Sequence, residues 1–148
     1  MKIQYRTGDC LAGPEKIIAH GVNCKGAFGS GVAGQIRERF PAVYEAYYKA
    51  HSENRLKLGE VIWAVDQDKV FANCCTQFDY GPSKIQVDYD AVRECMWKLN
   101  FMANIYGIQE IALPKIGCGL AGGDWSIVSK IIEEQFTHVQ PVVYEFNP

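Results

Sequence analysis

The sequence predicts an α/β fold in which a mixed, largely parallel sheet is flanked by helices on both faces. Short apolar runs typical of buried strands alternate with amphipathic helical segments along the chain. The composition, 48% apolar and 22% charged, is typical of a globular protein. With 148 residues the chain can bury a sizeable core, and we expect residues 1–148 to form a single domain.

The first half of the chain predicts four strands and one interrupted helical region. Residues 2–7 alternate between apolar and polar side chains, and residues 17–22 have the pattern of a short buried strand. A helical repeat begins near Val32, and Pro41 interrupts it and starts a second helix. After Gly59, the β-rich runs EVIWAV and KVFANCCT are separated by the polar turn DQD, which predicts two further strands.

The second half predicts two helices and two strands. A long amphipathic helix begins at about Val87 and stops at Gly107. The run IQEIALP is a buried strand, residues 125–136 form a helix, and residues 142–144 close the chain as a strand. The order β-β-α-β-β-α-β-α-β is typical of a largely parallel sheet that is covered on both faces.

Two glycine-rich segments, residues 23–34 and 113–125, carry eight of the 14 glycines. Each lies between a predicted strand and a predicted helix, where ligands bind in open α/β sheets. Glycine allows a close backbone approach and positive φ angles, so that successive N–H groups can point at a ligand. The helix that follows adds a partial positive charge. The two segments together predict a clamp for a diphosphate.

Other phosphate and metal chemistries are not favoured. The motif GxxxxGK[ST] is absent, which argues against a Mg²⁺-dependent NTPase. The stretch GSGVAG matches GxGxxG, but its strand ends near Asn23, so five residues lie between that strand and Gly29 in place of a tight turn. No His, Asp or Glu cluster has metal spacing, and the six cysteines are expected to be reduced and mostly buried. We therefore expect no cofactor and no metal.

Charge and hydropathy limit the partners. A formal net charge of −2 gives no general attraction to nucleic acid or anionic membranes, so a nucleic-acid partner is not expected. No apolar run is long enough to span a bilayer, and no signal peptide precedes residues 2–7. We expect a cytoplasmic monomer that does not associate with membranes.

The stretches GDCLAGPEKIIAHGVNCKGAFGSGVAGQIRERFP and LPKIGCGLAGGDW resemble the macrodomain family of ADP-ribose-binding α/β modules. The resemblance covers nearly the whole chain. HGVNCKGAFGSGVA is most similar to the branch of ADP-ribose-1″-phosphate phosphatases. It implies a macrodomain-like three-layer fold and a small-molecule ligand, either ADP-ribose or its 1″-phosphate. ADP-ribosylated protein is a further partner that the resemblance allows.

The resemblance also implies positions for the ligand. Asp9 would accept a hydrogen bond from the adenine amino group beside the Cys10 backbone, and Asn23 would contact the distal ribose. Backbone N–H groups of two loops would hold the distal ribose and the diphosphate; these loops comprise Phe28, Gly29, Ser30, Gly31 and Val32, and Ile116, Gly117, Cys118, Gly119, Leu120 and Ala121. From the residues alone, Asp9 and Asn23 could equally serve their own turns, and the loops could be plain strand-to-helix connections.

His20 is the first candidate for acid/base catalysis, since it lies three residues before Asn23 and a histidine titrates at about pH 6.5. The alternative is a histidine satisfied within the sheet. Asp79 is the second candidate and could instead initiate a turn with Gly81. Asp124 is interpreted as the N-cap of the last helix.

Related hydrolases that remove ADP-ribose from glutamate use a lysine and an aspartate in two segments of the site. This chain has Gln77 and Phe78 in the first of these segments and Ala121 in the second. The missing pair favours a protein that binds without catalysis, whereas His20 and the resemblance to the phosphatase branch favour a metal-independent phosphatase acting on ADP-ribose-1″-phosphate. We expect the phosphatase. A non-catalytic reader of ADP-ribose or ADP-ribosylated macromolecules and a de-ADP-ribosylating hydrolase are the alternatives.

Overall fold

The computed structural model describes residues 1–29, 31–81, 85–119 and 121–145. Within these residues, six strands form one sheet in the order β1-β6-β5-β2-β4-β3. The strands are β1 (Gln4–Thr7), β2 (Ile17–Asn23), β3 (Val61–Asp66), β4 (Lys69–Gln77), β5 (Glu110–Leu113) and β6 (Gln140–Glu145). The helices are α1 (Gly31–Arg39), α2 (Pro41–Ser52), α3 (Tyr89–Tyr106) and α4 (Trp125–Gln135), with a short 3-10 helix at Cys10–Ala12.

The sheet is parallel except at one edge. The pairs β1–β6, β6–β5, β5–β2 and β2–β4 are parallel, whereas β3 pairs antiparallel with β4. Gln67 and Asp68 connect β3 to β4 with φ angles of 50° and 66°. Positive φ at both central residues is typical of the tight hairpin turns whose twist matches that of the strands. The prediction of a mixed, largely parallel sheet is confirmed.

Helices cover both faces of the sheet. On one face, α1 and α2 pack through Ile36, Val43 and Tyr47 against the sheet. On the other face, α3 and α4 supply apolar side chains such as Leu99 and Ile132. This arrangement of three layers confirms the predicted fold class, and it leaves the edges of the sheet as the places where loops can meet.

The helix boundaries have local causes. Pro41 is the first residue of α2, where its missing N–H costs nothing, and α1 ends just before it at Arg39. Asp88 caps α3 by accepting from the Ala91 N–H, and Gly107 ends this helix with φ 68°. No helix within the described residues is long and apolar enough to cross a membrane.

The sheet order explains why the two glycine-rich segments meet. β2 and β5 are parallel neighbours, so both strands end at the same edge of the sheet. The first glycine-rich segment follows β2 at Asn23, and the second follows β5 at Leu113. Two segments separated by about 90 positions in the sequence are therefore brought side by side.

Candidate functional site

A cleft of about 460 Å³ lies at this edge of the sheet, between the two glycine-rich segments. The ends of β2 and β4 form its floor. Its described lining residues are His20, Gly21, Val22, Asn23, Ala27, Gly29, Gly31, Val32, Ala33, Gln77, Tyr80, Gly81, Pro114, Lys115, Ile116, Gly117, Gly119 and Ala121. Backbone and small side chains therefore make up most of the surface.

A small recess of about 60 Å³ adjoins one end of the cleft. Val32 and Pro114 line both cavities, so the recess and the cleft share a wall. The other residues of the recess are Gly8, Asp9, Cys10, Gln35 and Tyr144. The structure thus brings Asp9 and Cys10 next to the cleft, although 12 residues separate Cys10 from Asn23 along the chain.

Residues whose backbone N–H groups lack an acceptor line the cleft on both sides. The first N–H groups of α1, from Gly31 onward, have no partner inside the helix. In the second segment, the N–H groups of Gly117, Gly119 and Ala121 find no acceptor within the described residues. Gly31 and Gly117 have φ angles of 59° and 74°, which an L side chain rarely adopts. The arrangement is suited to an anion with several oxygens.

Asn23 organises the first glycine-rich segment from within. Its Oδ1 accepts from the N–H of Lys25 (2.9 Å) and the N–H of Ala27 (3.2 Å), and the Tyr47 hydroxyl donates to the backbone carbonyl of Asn23 at 2.6 Å. Its Nδ2 donates to the Ala27 carbonyl at 2.7 Å. Because Asn23 also lines the cleft, its second Nδ2 hydrogen is the one left for a ligand. Asn23 can therefore both form its own turn and contact a ligand, the two roles considered from the sequence.

His20 lies on the floor of the cleft but is almost completely buried, with 1% of its surface exposed. Its Nε2 lies 2.5 Å from the Oδ1 of Asn73 on β4. Burial lowers the pKa of His20 to about 4, and the hydrogen bond to Asn73 only partly offsets this. Nδ1 is buried and has no partner within the described residues. His20 is therefore neutral at neutral pH, and its titration lies well below the expected value of about 6.5.

The edge of the His20 ring packs against Phe28, with ring centroids 5.4 Å apart. Phe28 is itself buried behind the cleft, between His20 and the rings of Tyr44 and Tyr47. Its side chain does not line the cavity, but it anchors the chain directly before Gly29. His20 and Phe28 together thus support the first glycine-rich segment from below.

Asp79 does not line the cleft. Its Oδ1 accepts from the N–H of Tyr80 at 2.8 Å, and its carbonyl accepts from the Gln77 side chain at 2.7 Å. The carboxylate thus serves the turn after β4, which is the simpler of the two roles considered from the sequence. Ser30 and Leu120, the other two predicted loop residues, lie outside the described residues.

Two cysteines were predicted to lie beside the ligand through their backbone. Burial raises the pKa of the Cys10 thiol to about 12 and that of the Cys118 thiol to about 11. Both thiols are protonated at neutral pH, so neither is an activated nucleophile. Within the part of the chain that the structure describes, no group of three or more His, Cys, Asp or Glu side chains could hold a metal ion.

Each carboxylate oxygen of Asp9 accepts a hydrogen bond. Its Oδ1 accepts from the Leu11 N–H at 2.9 Å and caps the 3-10 helix, while its Oδ2 accepts from Nη1 of Arg39 at 2.8 Å. Burial alone would raise the pKa of Asp9, but the bonds from Arg39 and Leu11 outweigh it and hold this pKa below its ordinary value. Asp9 is therefore an ionised acceptor at the recess.

Several residues of the site were not identified from the sequence, and four of them carry polar side chains that matter here. Tyr80 and Lys115 line the cleft, Asn73 binds His20, and Arg39 binds Asp9. A polar Asn73 inside the apolar run KVFANCCT was a signal that could have been used. Arg39 carried no such signal, because its partner lies 30 positions away in the sequence.

Comparison with known proteins agrees with the geometry. The family model of the Macro domain matches residues 19–132. An uncharacterized 17.5 kDa protein of Enterobacteria phage T4, from the tk-vs intergenic region, is 35% identical over 100% of this chain and 99% of its own length. The ADP-ribose 1″-phosphate phosphatase of Candida albicans is 27% identical, with 89% of this chain and 92% of that protein covered.

The DNA ADP-ribosyl glycohydrolase of Thermus aquaticus is 26% identical over 99% of this chain, which spans only 41% of that protein's length. Among solved structures, the macrodomain of Mycobacterium tuberculosis DarG superimposes with a TM-score of 0.84 and 27% identity, and 96% of each chain is covered. The Macro domain match spans more than three quarters of the sequence and includes the cleft. The chain therefore belongs to the Macro domain family.

Proposed function

We propose that the chain binds ADP-ribose in the cleft and hydrolyses ADP-ribose 1″-phosphate to ADP-ribose and inorganic phosphate. One observation carries this proposal: residues with backbone N–H groups that lack an acceptor line the cleft on two sides, and none of its described lining residues is a carboxylate. Such a surface attracts phosphate oxygens and repels none of them.

The cleft and the recess adjoin, so the site can take a ligand with a base at one end and a ribose at the other. We place the adenine across the mouth of the recess, where its amino group can reach the ionised Asp9. The diphosphate fits between the start of α1 and the N–H groups of Gly117 and Gly119. The terminal ribose then reaches Asn23, which keeps one donor free.

A phosphate on the terminal ribose lies, in this arrangement, at the end of the cleft formed by Gln77, Tyr80 and Gly81. The match to the C. albicans phosphatase supports this substrate, since it covers nearly the whole of both chains. The longer glycohydrolases match over less than half of their length.

In the proposed reaction, a water oxygen bonds to phosphorus while the bond from phosphorus to the 1″ oxygen breaks. A proton from the attacking water ends on the 1″ oxygen as ADP-ribose leaves, and inorganic phosphate, which keeps the water's oxygen and its other proton, is the second product. The N–H groups of the cleft stabilise the charge on the transferring phosphoryl group. His20 is neutral and buried, so we propose that it supports the Phe28 segment and does not exchange protons with substrate at neutral pH.

The proposal is tested by incubating the protein with ADP-ribose 1″-phosphate and EDTA and measuring phosphate release. We expect release that continues in the chelator and is lost in Gly119→Val, whose side chain would fill the cleft. Tight ADP-ribose binding without phosphate release would contradict the enzyme and support a non-catalytic reader.

A second candidate function is the removal of ADP-ribose from an unpaired nucleobase. The rings of Phe78 and Tyr80 are 56% and 57% exposed after β4, and Tyr80 lines the cleft. Nζ of Lys25 lies 4.4 Å from the centre of the Phe78 ring. Exposed aromatic rings stack on unpaired bases, and a lysine beside them can neutralise a phosphate.

This candidate is tested with a single-stranded oligonucleotide that carries ADP-ribose on a base. Release of ADP-ribose that falls about tenfold in Tyr80→Ala would support it. Trp97→Ala, which removes an equally exposed ring on α3, is the matched control and should leave release unchanged. No release from the oligonucleotide alongside phosphate release from the small substrate would exclude the second candidate.

A further inference from the structure

One face of α1 borders the base-binding end of the site. Val32 and Gln35, three positions apart, both line the recess. Arg39 follows four positions later on the same side of the helix, and its Nη1 donates to Oδ2 of Asp9. The last residue of α1 is thus tied to the turn that follows β1.

The two hydrogen bonds fix the orientation of the Asp9 carboxylate. One oxygen is held by the Leu11 N–H of its own turn, and the other is held by the Arg39 guanidinium. An ionised carboxylate has about four acceptor positions, so two remain after these bonds. The Asp9 side chain keeps 35% of its surface exposed, and the residue lines the recess, so an acceptor position is available to a ligand there.

We propose, on the basis of the ADP-ribose binding proposed above, that Arg39 is a positioning residue that sets the base preference of the recess. It does so by orienting the Asp9 carboxylate to accept from the exocyclic amino group of adenine. Arg39 itself does not touch the base. Arg39 therefore strengthens the binding of ligands that carry the amino group and does not change the binding of ligands that lack it.

The alternative is that Arg39 only strengthens the end of α1. In that case Arg39→Ala would loosen the whole segment and weaken the binding of every ligand to the same degree. Arg37 offers a matched control on the same turn of the helix, because its guanidinium lies 3.9 Å from the centre of the Tyr44 ring and makes no bond to Asp9.

The test compares two ligands by calorimetry: ADP-ribose and its purine analogue, in which a hydrogen replaces the amino group. We expect the wild-type protein to prefer ADP-ribose by about tenfold or more. Arg39→Ala should reduce this preference by about three- to fivefold, mainly because it weakens the binding of ADP-ribose. Arg39→Lys should restore part of the preference, and Arg37→Ala should keep all of it.

The pH dependence gives a second readout. In Arg39→Ala the preference should disappear at a higher pH on acidification than in the wild-type protein, because Asp9 loses the cation that lowers its pKa. Equal weakening of both ligands in Arg39→Ala, with an unchanged pH dependence, would overturn the inference. A wild-type protein that binds neither ligand would instead overturn the proposed function, and an Asp9→Ala variant with the full preference would show that another residue reads the base.

Discussion

His20 donates its Nε2 proton to Oδ1 of Asn73, and the two atoms lie 2.5 Å apart between the neighbouring strands β2 and β4. An amide oxygen can only accept, so the proton is on Nε2 and the neutral ring keeps its lone pair on Nδ1. Burial lowers the pKa of His20 to about 4. The pair is therefore a neutral, fixed unit beneath the cleft.

This pair predicts a pH dependence of stability. The pKa of His20 is about 4 in the folded protein and about 6.5 in the unfolded chain, so the unfolded chain binds the extra proton first on acidification. The neutral His20 makes its whole contribution to the free energy of unfolding above pH 6.5. This contribution falls as the pH is lowered from 6.5 and is lost below pH 4. We expect a loss of roughly 3 kcal/mol. The free energy of unfolding in urea, measured for the wild-type protein and His20→Gln across this pH range, tests the prediction. If the two proteins showed the same change of unfolding free energy with pH, the prediction would be contradicted.

The same pair predicts the shape of the pH–rate profile. The substrate phosphate itself titrates near pH 6, so both the wild-type protein and His20→Gln should show that inflection. Because His20 is already neutral, replacing it should change the rate without changing the shape of the profile between about pH 5.5 and 8.5. Phosphate release measured across this range is the test. An inflection present only in the wild-type profile would show that His20 does exchange protons.

Gly119 is the most direct test of the cleft wall. A Cβ placed there meets nothing within 4 Å, and the residue has no left-handed φ, so Gly119→Ala and Gly119→Val should fold normally. Binding should weaken progressively from Ala to Val, with more than a hundredfold loss for Val, because the side chain enters the space of the diphosphate. Calorimetry measures the loss, and thermal unfolding checks the fold. Gly31 is less suitable, since its φ of 59° strains any side chain.

The order of the elements could be predicted from the sequence because it rests on local patterns. Pro41 separates two helices, Gly107 ends α3, and Asp124 caps α4, and each of these follows from the residue itself. The meeting of the two glycine-rich segments could also be predicted, since parallel strands place their carboxyl ends at the same edge.

The contacts that tune the site could not be predicted in this way. The bond from His20 to Asn73 depends on the register of β2 against β4, and the bond from Arg39 to Asp9 depends on how α1 packs. The burial of His20 follows from the packing of Phe28 against it, which no periodicity reveals. The pKa near neutrality expected from the sequence was therefore wrong, whereas the position of His20 at the cleft floor was anticipated.

Tyr47 predicts a link between stability and binding. Its hydroxyl donates to the Asn23 carbonyl at 2.6 Å and accepts from the Gly26 N–H at 3.1 Å, inside the core. Tyr47→Phe should lower the free energy of unfolding by about 1–3 kcal/mol and weaken ADP-ribose binding, because the first glycine-rich segment loses its anchor. Urea unfolding and calorimetry measure the two effects. Tyr48→Phe is the control, since Tyr48 is 54% exposed, and equal effects in both variants would refute the link.

The central claim is that ADP-ribose occupies the cleft between the two glycine-rich segments. The most direct measurement is a titration of the ¹⁵N-labelled protein with ADP-ribose, followed by amide chemical shifts. We predict saturable shifts at Gly31, Val32, Gly117 and Gly119, with weaker shifts at Asp9 in the recess. A titration that leaves these amides unchanged, or that shifts only amides on the outer face of α3, would contradict the claim.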